Sequence, residues 1–137
     1  MIVVDTNVIA YAWLRTAHTP LARRLLEQEP EWHAPLLWRS EFRNVLLGET
    51  RRGRLDQSNT AEIMQIAENW LTDHEHLPSS REVLPLAIKS GCTAYDCEFV
   101  AVAEQLDVPL VTAHRALLKA FPQRARTLEA ACEIMGR

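Results

Sequence analysis

The stretch "MIVVDTNVIAYAW", Met1 to Trp13, decides how the rest of the chain is read. "IVV" is a β-branched run, which favours a strand, and it stops at the carboxylate of Asp5. Beyond it Val8, Tyr11, Ala12 and Arg15 recur at helical spacing. A strand opening straight into a helix is the start of a βα unit. In an open parallel sheet such units place ligands outside the carboxyl ends of the strands, and Asp5 stands at such an end.

The alternation continues outward. "HTPLARRLLEQEP" predicts a helix with Thr19 as N-cap, Pro20 at its first position and Pro30 closing it. "EWHAP" is a short strand. "LLWRSEFRNVLLGETRRGR" shows a stripe of Trp38, Phe42, Val45 and Leu46 and ends at Gly53. "SNTAEIMQIAENWLTD" places Ile63, Ile66, Ala67, Trp70 and Leu71 on one helical face. "HEHLP" reads as a strand. Ser79 and Glu82 form a capping box for "REVLPLAIKSG", although Pro85 pulls the expected helix start toward itself, and Gly91 fits the C′ position. "TAYDCEFVAVAEQL" is a helix through Phe99, Val102, Ala103 and Leu106, "VPLVTA" a strand, "RALLKAF" a helix, "ARTL" a strand and "EAACEIM" a closing helix. Strand and helix in turn imply an α/β fold: a mostly parallel central sheet covered on both faces, as a three-layer α/β/α sandwich. With no repeat, linker or low-complexity segment, a single domain over residues 1–137 is expected.

A chain of 137 residues with 47 % hydrophobic residues can bury a real core. The net charge of −3 advertises no polyanion partner, so nucleic acid would have to be met by a local patch or by metal ions. Cys92, Cys97 and Cys132 form no CxxC pair and no even framework, so a reducing cytoplasm is the simplest setting. No apolar run approaches the ~20 residues of a membrane span. The strand-like opening lacks a basic leader, so no signal peptide is expected.

Three acids stand near element ends. Asp5 ends the first strand, Glu41 lies in the first turns of the third helix, and Asp96 opens another helix. Each has an ordinary explanation. Asp5 can cap the helix that begins at Thr6, Glu41 can answer a helix dipole worth ~0.3–1 kcal/mol, and Asp96 can pair with Thr93 as a cap. Yet a parallel sheet brings such ends to one edge. Clustered carboxylates repel unless a divalent cation neutralises them, and an all-oxygen set suits Mg²⁺ or Mn²⁺ rather than zinc.

"VVDTNVIAYA", "SEFRNVLL" and "AYDCEFVAVAEQLDVPLVTAHRALL" together resemble the PIN-domain family, in particular its small VapC-type toxin ribonucleases. The match runs over nearly the whole chain in order and spacing. The resemblance implies a PIN-like sandwich and Mg²⁺- or Mn²⁺-dependent cleavage of RNA, as the toxin of a type II toxin–antitoxin pair. It makes Asp5, Glu41 and Asp96 the acids of a metal site, with Thr6, Asn7, Asn44 and Thr112 supporting it. It further implies a small antitoxin partner and a homodimer. Where relatives commonly carry "VTxD", this chain has "VTAH", so His114 replaces a fourth acid. His114 is either a metal ligand or phosphate contact, or a loop histidine where one ligand has been lost.

Two other readings compete. One is a PIN-fold RNA- or protein-binding module with weak or no catalysis. Another, prompted by "DTN", is an aspartyl phosphatase, but that chemistry wants a second Asp where Asn7 stands. Among the remaining features, Glu98 lies roughly 200° around a helix from Asp96 and is expected to face elsewhere. Arg39 and Arg43, beside Glu41, are the expected RNA-phosphate contacts. His74, Glu75 and His76 have metal-like composition but no further partner at good spacing, so they read as a surface loop.

Overall fold

The computed structural model describes residues 1–135; the last two positions of the expected 1–137 span lie outside the described residues. Among the described residues five strands are each followed by one or two of eight helices. In chain order they are β1 (Ile2–Val4), α1 (Thr6–Trp13), α2 (Thr19–Gln28), β2 (Trp32–Pro35), α3 (Leu37–Arg51), α4 (Gln57–Leu71) and β3 (Glu75–His76). They continue with α5 (Ser80–Ser90), α6 (Ala94–Leu106), β4 (Leu110–Val111), α7 (Arg115–Ala120), β5 (Ala125–Arg126) and α8 (Leu128–Met135). The strands form one sheet in the order β3-β2-β1-β4-β5, and every pairing is parallel. The expected three-layer α/β/α sandwich is therefore the observed fold.

The order carries a functional consequence. From β1 the chain builds outward through β2 to β3, then returns to the other side of β1 with β4 and β5. The direction reverses between β1 and β4, and such a switch point opens a crevice at the carboxyl ends of the flanking strands. The sheet centre is apolar on both faces, as a covered parallel sheet must be. Ile2, Val3, Val4, Leu110 and Val111 are fully buried, with Trp32, Trp38, Phe42 and Val100 packed into the same core.

Several local expectations shift for identifiable reasons. Thr19 is the first residue of α2 rather than its cap. Its hydroxyl turns back to donate to the Leu14 carbonyl at 2.6 Å and accepts from the Thr16 N–H at 2.9 Å. α5 starts at Ser80 and contains Pro85 in its interior, so the helix forgoes one backbone hydrogen bond there. The Ser79–Glu82 pair makes neither backbone bond of a capping box among the described residues: Ser79 Oγ donates to the Glu82 carboxylate at 2.9 Å instead. α4 buries a narrower stripe than expected, Met64, Ala67 and Leu71, leaving Ile66 and Trp70 exposed at its flank. Gly91 does take the left-handed conformation at the end of α5, with φ +76°. No described helix is long and apolar enough to cross a membrane.

Candidate functional site

The crevice at the β1–β4 switch point is a cleft of about 360 Å³. Asp5, Thr6 and Asn7 line it from the start of α1, Glu41 and Asn44 from α3, Asp96 from α6, and His114 from the β4–α7 joint, over an apolar floor that includes Phe99 and Leu117.

Asp5 is held from three sides. Its Oδ1 accepts from the Val8 N–H at 2.9 Å, capping α1. Its Oδ2 accepts from the Thr112 hydroxyl and from the Ala113 N–H, the latter at 3.2 Å. Capping and site placement are thus one arrangement, in which a single carboxylate ties the end of β1 to the end of β4. Thr112, fully buried, also accepts from the His114 N–H at 2.9 Å and so fixes the turn that presents His114. Burial pushes the Asp5 pKa up, against the pull of these hydrogen bonds.

Glu41 sits half-buried on α3 and accepts from the Thr6 hydroxyl at 2.7 Å. Its pKa is also raised, first by burial, then by the charges of Asp96, Asp5 and Glu98. Asn44 and Val45 follow it at i+3 and i+4 and share its helix face. Asp96 occupies the first turn of α6, where its N–H donates to Thr93 Oγ1 at 3.1 Å. Its carboxylate takes no reciprocal cap bond. It accepts from His114 Nε2 at 3.0 Å instead.

That contact defines His114. Because a carboxylate only accepts, Nε2 carries a proton and faces Asp96 as a donor. In this arrangement the imidazole occupies one oxygen of Asp96, an acid of the expected metal site. Glu98 does not line the cleft, as its angle on the helix suggests, yet it lies close enough to raise the Glu41 pKa.

The expected phosphate contacts at Arg39 and Arg43 are not in the cleft. Each lies two positions from Glu41, roughly 200° around α3. Arg39 makes a two-pronged pair with Glu75, Nε to Oε2 and Nη2 to Oε1, both at 2.6 Å. Arg43 approaches Glu68 at 3.9 Å and lines a groove between α3 and α4. Sequence reasoning missed the floor residues Phe99 and Leu117. Their apolar character reads as core, and only the fold shows that the core surfaces here.

The chain belongs to the PIN-domain family, whose family model matches residues 2–121. Ribonuclease VapC3 from Pyrobaculum aerophilum is 31% identical over 126 residues, covering 88% of this chain and 95% of that protein. The crystal structure of PAE2754 from Pyrobaculum aerophilum shares the fold, with a TM-score of 0.77 at 24% identity over 98% of this chain and 96% of that one.

Proposed function

We propose that residues 1–137 act as one PIN domain that hydrolyses RNA phosphodiester bonds with Mg²⁺ or Mn²⁺. The observation that supports this reading is the convergence of Asp5, Glu41 and Asp96 at the β1–β4 switch point, two of them with pKa values raised by burial. Carboxylates gathered in that way are costly as bare charges and are relieved by a hard cation. The donor set is oxygen-rich and open to solvent on one side, which fits Mg²⁺ or Mn²⁺. Kinship with a protein named as a ribonuclease points to RNA as the substrate.

Asp5, Glu41 and Asp96 would hold the ion. Bound there, it would supply activation of a water and neutralisation of charge on the phosphate. Thr112 and the Ala113 N–H orient Asp5, Thr6 orients Glu41, and His114 orients Asp96. Asn7 and Asn44 add amide donors at the rim for a phosphate or sugar. The resemblance supplies a small antitoxin protein as partner and a homodimer, and three free cysteines suit a reducing cytoplasm.

A second reading has its own observation. The His114–Asp96 hydrogen bond competes with any ion for Asp96, which favours an RNA- or protein-binding module with weak catalysis. A cleavage assay on mixed-sequence RNA with Mg²⁺ or Mn²⁺, run beside Asp5→Asn, separates the two. Metal-dependent cleavage that the variant loses is expected. No cleavage with either metal, or equal cleavage by the variant, sinks the nuclease reading.

A further inference from the structure

A second polar cluster lies away from the cleft, at the β2–β3 edge of the sheet. Side chains alternate faces along a strand, so positions 31, 33 and 35 share one face of β2, and 74 and 76 share one face of β3. The register Ala34↔Glu75 and Pro35↔His76 sets these two faces side by side. Glu31, His33, His74 and His76 therefore meet on one side, while Glu75 points to the other and binds Trp38 and Arg39.

The geometry within this group is that of a ligand set. One donor atom each from Glu31, His33 and His74 lies within 4.8 Å of the other two. His33 is only 7 % exposed, and its Nε2 is buried without a hydrogen-bond partner among the described residues. His74 Nδ1 is likewise buried and unpartnered. The Glu31 carboxylate stands 3.5 Å from His33 Nε2, too long for a well-formed hydrogen bond. It is close to the ~3.3 Å edge expected between two ligands of a tetrahedral ion with ~2.05 Å bonds. The rings of His33 and His74 stack with centroids 4.4 Å apart.

His76 supplies the outer contact that metal-bound imidazoles usually have. Its Nε2 lies 2.8 Å from His33 Nδ1. With the proton on His33 Nδ1 and His76 accepting, His33 Nε2 holds a free lone pair aimed at Glu31.

We propose that Glu31, His33 and His74 bind a borderline divalent transition metal ion of the Zn²⁺ type, which pins the edge strand β3 to β2. Two imidazoles and one carboxylate suit such an ion and leave a fourth position open to solvent. Glu31 is nearly half exposed, so its carboxylate closes on the ion without moving the backbone. β3 has only two residues and no strand on its outer side among the described residues, so a clip there restrains a short edge strand. This site is chemically distinct from the acid cleft, which offers oxygen to a harder ion.

The test is Co²⁺ and Zn²⁺ binding by the full chain, stripped of metal, in the wild type and in an Asp5→Asn/His114→Ala background that disarms the cleft. One Co²⁺ per chain with a visible ligand-field band is expected in both, and Zn²⁺ should raise Tm by about 5 °C. His74→Ala and Glu31→Ala, each partly exposed, should keep the apo melting curve and lose the bound ion and the Tm rise. His76→Ala should retain one site with roughly tenfold weaker affinity. Absence of binding in the wild type, or equal binding by the His74→Ala and Glu31→Ala variants, overturns the proposal.

Discussion

At the β1–β4 junction the fold gathers like charges, Asp5, Glu41 and Asp96, and at the β2–β3 edge it gathers imidazoles, His33, His74 and His76. The first cluster is held by hydroxyl and amide donors that satisfy individual oxygens without removing the repulsion between the acids. The second is held by stacking and by one ring-to-ring hydrogen bond, and it leaves lone pairs idle rather than charges opposed. On the readings proposed above, the two sites would take cations of different hardness. The difference follows from where each lies. The switch-point crevice draws its acids from a helix cap, Asp5, and from the early turns of α3 and α6; the edge strands offer period-two faces, on which imidazoles stack.

The strongest way to break this contrast is Asp5→Asn. Asparagine keeps a side-chain oxygen for the α1 cap but removes the charge. RNA cleavage should fall about 10³-fold, ~4 kcal/mol of transition-state stabilisation, while Zn²⁺ binding at the histidine edge is unchanged. Steady-state cleavage rates beside a zinc titration check both halves. Retention of a tenth of the activity would remove Asp5 from the cation site.

His114→Asp sharpens the contrast from within the cleft. It removes the Nε2–H that occupies Asp96 and substitutes an oxygen ligand suited to a hard ion. Mg²⁺-dependent cleavage should rise, on the order of tenfold or ~1.4 kcal/mol. A rate equal to or below wild type would mean that His114 is a working part of the site as it stands.

Much of the cleft was legible in the sequence because its acids sit at junctions that pattern alone reveals. Asp5 ends an apolar strand, Asp96 follows a threonine cap, and His114 divides a strand from a helix. What pattern could not reveal is direction. Arg39 and Arg43 are neighbours of Glu41 along the chain but lie around the far side of α3. Their partners, Glu75 and Glu68, come from segments distant along the chain. The histidine edge was hidden for the same reason: "HEH" alone has no ligand at useful spacing, and Glu31 and His33 join it only through the β2–β3 register. The interior position of Pro85 was hidden too, because the packing of α5 against α6 outweighs one lost hydrogen bond.

Arg39 lies between the two clusters, and its variant probes the framework that separates them. The Arg39–Glu75 pair joins α3, which bears Glu41, to β3, which bears His76. Arg39→Ala should cost about 1–2 kcal/mol, since the pair is two-pronged but only partly buried. The Arg39 guanidinium holds the Glu75 pKa below the usual glutamate range. Stability from such a lowered carboxylate is present above its unfolded pKa and is lost as pH falls through the folded one. The denaturation gap between wild type and variant should therefore close in acid. A gap independent of pH would assign the cost to lost packing of the arginine stem.

The smallest expected effect tests whether the acids of the cleft oppose folding when no cation is bound. Glu41 has a raised pKa in the folded chain. The stability contributed by its protonated form is present below the unfolded pKa and is lost as pH rises through the folded one. At neutral pH the charged side chain therefore works against the fold. Glutamine keeps an oxygen for the Thr6 hydroxyl and carries no charge at any pH. In chelator at pH 7, Glu41→Gln should melt about 3 °C above wild type, and the difference should vanish as pH falls through the carboxylate range. Added Mg²⁺ should raise the wild type and leave the variant nearly unmoved. A variant that melts lower than wild type in chelator would show that the cleft tolerates its charges unaided, and the need for a cation would lose its physical basis.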